Sequence, residues 1–373
     1  MKSVFEERSE RSGVGEMISV TINRGVVPAS SLDRKDNSSE DRSNYKVVKQ
    51  CDIAYNSMRM WQGASGVSRY EGIVSPAYTI LKPIEGANSN FFGNLFKTNK
   101  MIQTFQKHSQ GLTSDTWNLK YPALSEIQNS YPNSKDEQAN VTKLFEALDN
   151  LIAANQRKLE SLKDEKKAYL ERIFNQKLRF SGFHDPWLQP KLSHVLTERS
   201  EKAAQSDEYP LVSFTVESGV TPKTERYDRE QLVRGDKKSK EYKKTVLDDI
   251  VYNTANLKFG AINRNKYGNA VFSPIYITFE VDKSEMLPMF AEIYVTRSDF
   301  IQRSLKYQQG TVYERQSVSP EALLSMPVTY PALDEQQRIG RLFDTLDRLI
   351  DARRQKINQL QNQKEAYLQK MFI

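Results

Sequence analysis

The sequence predicts an α+β protein made of two similar α+β domains, each followed by one long α-helix. Three observations predict it: a helical stretch that occurs twice, matching strand segments upstream of each copy, and a connector rich in Pro and aromatics between the copies. The first copy of the helical stretch runs from Tyr131-Pro132 through Asp136-Glu137-Gln138 to Phe174. The second runs from Tyr330-Pro331 through Asp334-Glu335-Gln336 to Phe372, and from Asp136 and Asp334 onward the two align without a gap. Repetition at a fixed offset is a stronger signal than any short motif.

Each copy reads as a helix. Apolar or long-stemmed residues fall at 144, 148, 151, 155, 159, 162, 166, 169 and 173, steps of three and four that make one helical stripe. Ala, Leu, Lys, Gln and Glu dominate, while Gly and Pro are absent from this stretch of the first copy. About 38 residues at 1.5 Å each would make a rod of roughly 55–60 Å, long enough for a coiled-coil spacer. The stripe predicts packing by Leu144, Leu148, Leu151, Leu159, Leu162 and Tyr169, and by Leu342, Leu346, Leu349, Ile357, Leu360 and Tyr367. Two successive steps of four near Asn155 predict a local change in supercoil.

The repeat extends upstream. Asp52-Ile53-Ala54-Tyr55-Asn56 matches Asp249-Ile250-Val251-Tyr252-Asn253, and Ser75-Pro76-Ala77-Tyr78 matches Ser273-Pro274-Ile275-Tyr276. Gln110-Gly111 matches Gln309-Gly310. Segments 16–22, 52–58 and 75–81, with 210–216, 249–255 and 273–280, alternate as strands do. Segments 94–108 and 289–307 each read as one amphipathic helix of about four turns. Stretches 29–45 and 224–244 align poorly, and the Lys-rich run at 237–244 reads as a solvated loop. The predicted layout is a first domain at 1–130, a long helix at 131–174, a connector at 175–194, a second domain at 195–329 and a second long helix at 330–373. The connector carries Gly182, Pro186, Pro190, Phe180, Phe183 and Trp187, a composition for packing rather than for a loose linker. Val4 aligns near Val195, so the first domain is expected to begin without such a connector.

Composition narrows the function. The chain has 373 residues, 38% of them hydrophobic and 27% charged. No run approaches the ~18 apolar residues of a membrane span, and the charged N-terminal segment gives no expectation of a secretion signal. Cys51 is the sole cysteine, which excludes an internal disulfide and fits a reducing cytoplasm. Three histidines, no Gly-rich phosphate loop, no HExxH and no CxxC leave no expected catalytic or metal-ligating set. The Tyr-Asn pairs at 55–56 and 252–253 lack the Pro-Pro-aromatic continuation of amino-methyltransferases, and no convincing glycine-rich segment for S-adenosylmethionine is found. A net charge of +7 favours an anionic partner, nucleic acid first.

Two similar basic domains at a fixed distance suit the reading of two separated sites on one duplex. Base edges are read by Arg, Lys, Asn, Gln, Ser and Thr. The first domain offers Asn56, Ser57, Arg59, Gln62 and Arg69, then Thr113 and Ser114. The second offers Asn253, Thr254, Asn256, Lys258, Arg264 and Lys266, then Thr311, Tyr313 and Arg315. The loops match in position and differ in side chains, as one scaffold reading two sequences would. Trp61 and Trp117 are expected to pack rather than to contact DNA. Solvated loops or local caps are the competing reading for each residue.

The helical repeats, each opened by a Pro then Asp-Glu-Gln, and the connector at 178–195 resemble the specificity (S) subunit of type I restriction–modification systems, over essentially the whole chain. The resemblance implies two target recognition domains, each reading one half of a bipartite asymmetric site on double-stranded DNA. It implies that the helices pair as an antiparallel coiled coil and set the gap between the halves. It also implies two partner methyltransferase subunits that bind S-adenosylmethionine and methylate adenine, with motor and nuclease subunits joining them, so that this chain carries no cofactor and no catalysis. The first domain starts short of the family pattern, which leaves open how it is tied to the helix pair. The rival expectation is a coiled-coil adaptor whose α+β domains bind protein.

Overall fold

The structure, a computed structural model, describes residues 1–33, 41–216, 218–222, 241–309 and 316–372. It divides into two compact units, one of Met1–Ser161 with Asp351–Ile373 and one of Leu162–Ile350. Each division falls inside a long helix, so each unit holds the start of one long helix and the end of the other.

The first unit contains strands β1 (Phe5–Glu7), β2 (Ile18–Thr21), β3 (Gly25–Pro28), β4 (Lys46–Val48), β5 (Ile53–Asn56), β6 (Ser65–Val67), β7 (Gly72–Val74) and β8 (Tyr78–Pro83). Helices α1 (Ser89–Leu95), α2 (Asn99–His108), α3 (Tyr121–Glu126) and the start of α4 (Lys135–Phe174) follow. Its main sheet is antiparallel in the order β1-β8-β5-β6, with Tyr55 opposite Thr79 and Ile53 opposite Leu81. Successive strand residues face opposite sides. Ile53, Tyr55 and Leu81 therefore join Phe5, Phe91, Phe92 and Phe96 in the main core. Ala54 and Ile80 face a smaller core with Ile18, Val20, Val48 and Val74.

The second unit repeats this plan. Its strands are β9 (Leu196–Glu198), β10 (Lys202–Ala204), β11 (Val212–Thr215), β12 (Gly219–Pro222), β13 (Glu241–Thr245), β14 (Ile250–Asn253), β15 (Ile262–Arg264), β16 (Ala270–Phe272) and β17 (Tyr276–Val281). Its helices are α5 (Pro288–Val295), α6 (Ser298–Ser304), α7 (Pro320–Leu324) and the start of α8 (Leu333–Met371). The main sheet runs β9-β17-β14-β15, position for position the order of the first unit. Ile250, Tyr252 and Phe279 face the larger core, and Val251 faces Val212, Val220, Ala270 and Phe272.

Two expectations are corrected. Segments 94–108 and 289–307 are each broken into two helices. Thr98 is extended and its hydroxyl accepts from the Met101 amide, so it caps α2 and ends the preceding turn. Arg297, extended at the corresponding break, lies over the Phe174 ring at 4.0 Å. The Lys-rich run is not simply a loop: residues 237–240 lie outside the described residues, but Glu241–Lys244 belong to β13, with Lys243 paired to Glu198 at 2.7 Å and Lys244 to Glu201 at 2.8 Å.

The Pro…Asp-Glu-Gln motif gains a physical role. The Gln138 side chain donates to the Pro132 carbonyl at 2.7 Å, and buried Gln336 donates to the Pro331 carbonyl at 2.8 Å. Each glutamine thus folds back over its own helix start. Within the first unit, Lys364 pairs with Asp149 at 2.5 Å and Arg353 donates to Asn155 at 2.8 Å. Positions rise along α4 as they fall along α8, so the segments run antiparallel. Within the second unit, Lys166 and Asp347, the repeat equivalents of Lys364 and Asp149, pair at 2.5 Å. The connector is packed: Trp187 and Leu192 are buried, and Arg179 forms a bidentate pair with buried Glu335.

An ion pair that the sequence did not reveal also occurs twice. Arg8, just after β1, donates to both oxygens of Asp52 at 2.7 and 2.9 Å; Arg199, just after β9, does the same to Asp249 at 2.9 and 3.1 Å. Asp52 and Asp249 are 1% and 2% exposed. Each carboxylate also accepts a backbone amide, from Lys49 or Val246, closing the turn into the central strand. Cys51 and Asp248, at the same place in those turns, have φ of 70° and 77°. Burial pushes the Asp249 carboxyl up despite the opposing pull of Arg199. Removing one member of such a pair strands the other, at a cost of about 3–5 kcal/mol. Asp52→Ala is expected to destabilise the first unit by that order, and denaturant unfolding checks it; a change under about 1 kcal/mol would mean that the clamp is dispensable.

Candidate nucleic-acid interface

The two loop groups proposed from sequence lie together in the first unit. In the first, Leu119 donates its amide to Ser57 O at 2.8 Å, and Trp61 meets Trp117 edge-on with centroids 5.2 Å apart. The Trp61 indole also donates to Met58 O at 3.1 Å, so both tryptophans pack. In the second, Val318 donates its amide to Thr254 O at 3.2 Å. The candidate loops leave their central strands through matching turns. A 3-10 turn at Met60–Gln62 ends on Gly63 with φ 80°, and one at Leu257–Phe259 ends on Gly260 with φ 86°. Only glycine takes that left-handed position without strain.

The candidate residues divide by environment. Arg59, Arg69, Thr113, Ser114, Asn256 and Lys266 are exposed, and Gln62, Thr254 and Lys258 are half-buried. Arg59 donates to Gln62 at 3.2 Å. Ser57 is buried against Thr79 at 2.7 Å. Asn253 is buried, its carbonyl oxygen accepting from the Ala255 and Asn256 amides; Asn56 similarly accepts from the Met58 amide. The two asparagines shape the loop backbone, and Ser57 ties the loop to β8. Arg264 is held by Glu292 at 2.9 Å and Asp248 at 3.1 Å, and Lys266 by Glu292 at 2.6 Å. Thr311, Tyr313 and Arg315 lie outside the described residues.

Arg69 opens onto a cleft of about 410 Å³ that Arg24, Lys97 and Lys364 also line. The second unit has a cleft of about 260 Å³ lined by Lys166, Arg264, Lys266 and Arg297. Sequence reading missed Lys97, which looked like one more polar position of a continuous helix. It sits at the helix break and donates to the carbonyls of Ile22 and Gly63, tying the β2–β3 turn to the end of the candidate loop.

On the long helices, Leu148, Leu159, Leu162, Leu346, Ile357 and Leu360 are buried, and Leu144, Tyr169, Leu342 and Tyr367 are half-buried. Leu151 and Leu349 are 51% and 46% exposed. The inward stripe of α4 passes through Phe145, Leu148 and Ile152, and one residue's rotation of about 100° turns Leu151 outward. Among the described residues no helix is long and apolar enough to cross a membrane.

Two α+β units with one strand order, each holding the start of one long helix and the end of the other, define the architecture, and known proteins share it. Residues 200–362 match the family model described as the type I restriction modification DNA specificity domain. The fold is shared along the whole chain with the S subunit of a type I restriction–modification system from M. genitalium, at 14% identity and TM-score 0.60, covering 100% of this chain and 94% of that one. A chain from a structure on complex assembly and conformational transition of the type I R-M system matches at 12% identity and TM-score 0.55, covering 98% and 95%. At these identities the two structures speak for the fold. Comparison with curated proteins gives no match. The resemblance carried by the helical repeats and connector is thus borne out, by family over residues 200–362 and by fold throughout.

Burial pushes the Lys97 ammonium down to about 8, and the charge of Lys364 adds to that push. An unfolded lysine titrates near 10.5. Below about pH 8 both states hold the proton and this group adds no pH dependence; between the two values the unfolded chain holds more protons, so the first unit's stability rises with pH. Denaturant unfolding at about pH 7.5 and about pH 9.5 checks this. Lys97→Met is expected to flatten the rise, and an identical pH profile in the variant would remove Lys97 as its source.

Proposed function

We propose that this chain is the DNA sequence-recognition subunit of a type I restriction–modification complex. Each recognition domain reads one half of a bipartite asymmetric site on double-stranded DNA, and the helices set the gap between the halves. The observation that carries the reading is the specificity-domain match at residues 200–362, on a chain whose first unit has the same main-sheet strand order. Phosphate contacts supply much of the affinity and base-edge contacts the sequence choice. The exposed loop residues Arg59, Arg69, Asn256 and Lys266 have the donors for both. The helices dock two methyltransferase subunits, and the outward Leu151 and Leu349, equivalent positions of the two repeats, offer apolar anchors for partner helices. S-adenosylmethionine and adenine methylation belong to those partners, cleavage to motor and nuclease subunits, and the complex works in the cytoplasm.

The isolated chain is expected to bind duplex DNA with an affinity that falls steeply with salt, and to methylate nothing. Assembled with its methyltransferase subunits and S-adenosylmethionine, it should modify a two-part sequence, read by single-molecule sequencing of the methylated DNA. Robust methylation by the chain alone overturns the reading; salt-insensitive behaviour favours a protein-binding adaptor. Four residues inserted beside Gln156 add about 6 Å of helix, close to two base pairs, and should lengthen the unread gap while both half-sites stay the same. An unchanged gap would end the ruler role.

A further inference from the structure

The loop after β14 in the second unit carries a side chain that joins neither hydrophobic core of the described residues. Phe259 is 64% exposed although it ends a rigid turn. Its amide donates to Asn256 O at 3.0 Å, the Gly260 amide donates to Leu257 O at 2.8 Å, and Leu257 beneath it is fully buried. Buried Asn253 fixes the start of the same loop through the Ala255 and Asn256 amides. The backbone is therefore set without help from the phenyl ring. The matching turn of the first unit makes the same geometry with Gln62 at that position, so a polar residue serves the fold equally well. A ring held out by a rigid turn stands ready for a partner at no cost in loop ordering. The Lys258 ammonium lies 5.2 Å from the ring centroid, and Asn256 is exposed one helical turn earlier. The ring is thus flanked by a cation and an amide, the groups that contact phosphate and base edges.

We propose that Phe259 is a base-reading residue of the second recognition domain and packs against the 5-methyl group of a thymine. The major groove of B-DNA presents polar donors and acceptors and one apolar group, that methyl. Phe259 finds no other partner of its own kind there. The first domain, with Gln62 in its place, reads its half-site by hydrogen bonding at the corresponding point. The assignment rests on the proposed function.

The test uses the assembled methyltransferase complex and the site found by methylation sequencing. Each thymine of both half-sites is replaced in turn by deoxyuridine, which removes only the methyl group. With the natural chain, one position in one half-site should lose about fourfold in affinity, the effect of one buried methyl. Phe259→Ala should bind the unmodified site about tenfold more weakly, melt like the natural chain and no longer respond to that replacement. Phe259→Leu should keep the response. A site at which deoxyuridine is tolerated everywhere, a half-site pair without thymine, or a Phe259→Ala complex that still responds overturns the assignment while leaving the chain's role in recognition intact. Absence of any two-part methylated site removes that role, and the assignment with it.

Discussion

The core of each unit is closed by an aromatic residue brought from the far end of a long helix. In the first unit Phe372 stacks on Phe145 at 6.0 Å and lies 5.2 Å from Phe91, with Leu360 and Leu368 below it. In the second, Phe174 packs on Phe290 at 5.5 Å and on Trp187 at 5.9 Å. Burying rings of this size dominates the energetics of a core. The helix starting in one unit thus supplies the lid of the other. Cross-helix pairs such as Lys364–Asp149 hold the register that puts each ring in place.

On this frame the two units keep what shapes the backbone and vary what faces outward. The buried Arg–Asp clamps, the left-handed Cys51 and Asp248, and the Gly63 and Gly260 turns recur position for position. Trp61 with Trp117 in one unit, and Phe259 in the other, stand on equivalent loops with different chemistry. The same turn thus carries Gln62 in one unit and Phe259 in the other without a change of backbone.

Much of this was legible in the sequence because periodicity reports burial directly. The long helices, the central strands β5, β8, β14 and β17, and the loop positions follow from repeated apolar spacing and turn residues. What was hidden depends on three-dimensional partners. Arg8 and Asp52 are 44 residues apart, and nothing local distinguishes them from surface charges. The breaks at Thr98 and Arg297 lie within apolar patterns that continue across them, and a capping threonine alone is a weak signal. Leu151 looked inward because its spacing from Leu148 fits a helix as well as that of Ile152 does; the choice between them is made by the neighbouring helix. Ser57 and Asn253 carried the residue types of base readers, but Ser57 spends its hydroxyl on Thr79 of β8 and Asn253 its amide on the loop itself.

The exchange of helix ends has a consequence for synthesis. Residues up to Ser161 leave the ribosome well before Leu360, Leu368 and Phe372, which complete the same core. At about 5–20 residues per second, the interval covering the intervening 190 or so residues is roughly 10–40 s. During that time the face formed by Phe91, Phe92 and Phe145 lacks its cover. The amide of Asn99 meets Gln369 across 270 positions of chain, a contact that cannot form earlier. The first unit thus waits for its own C-terminal segment with an apolar face still uncovered.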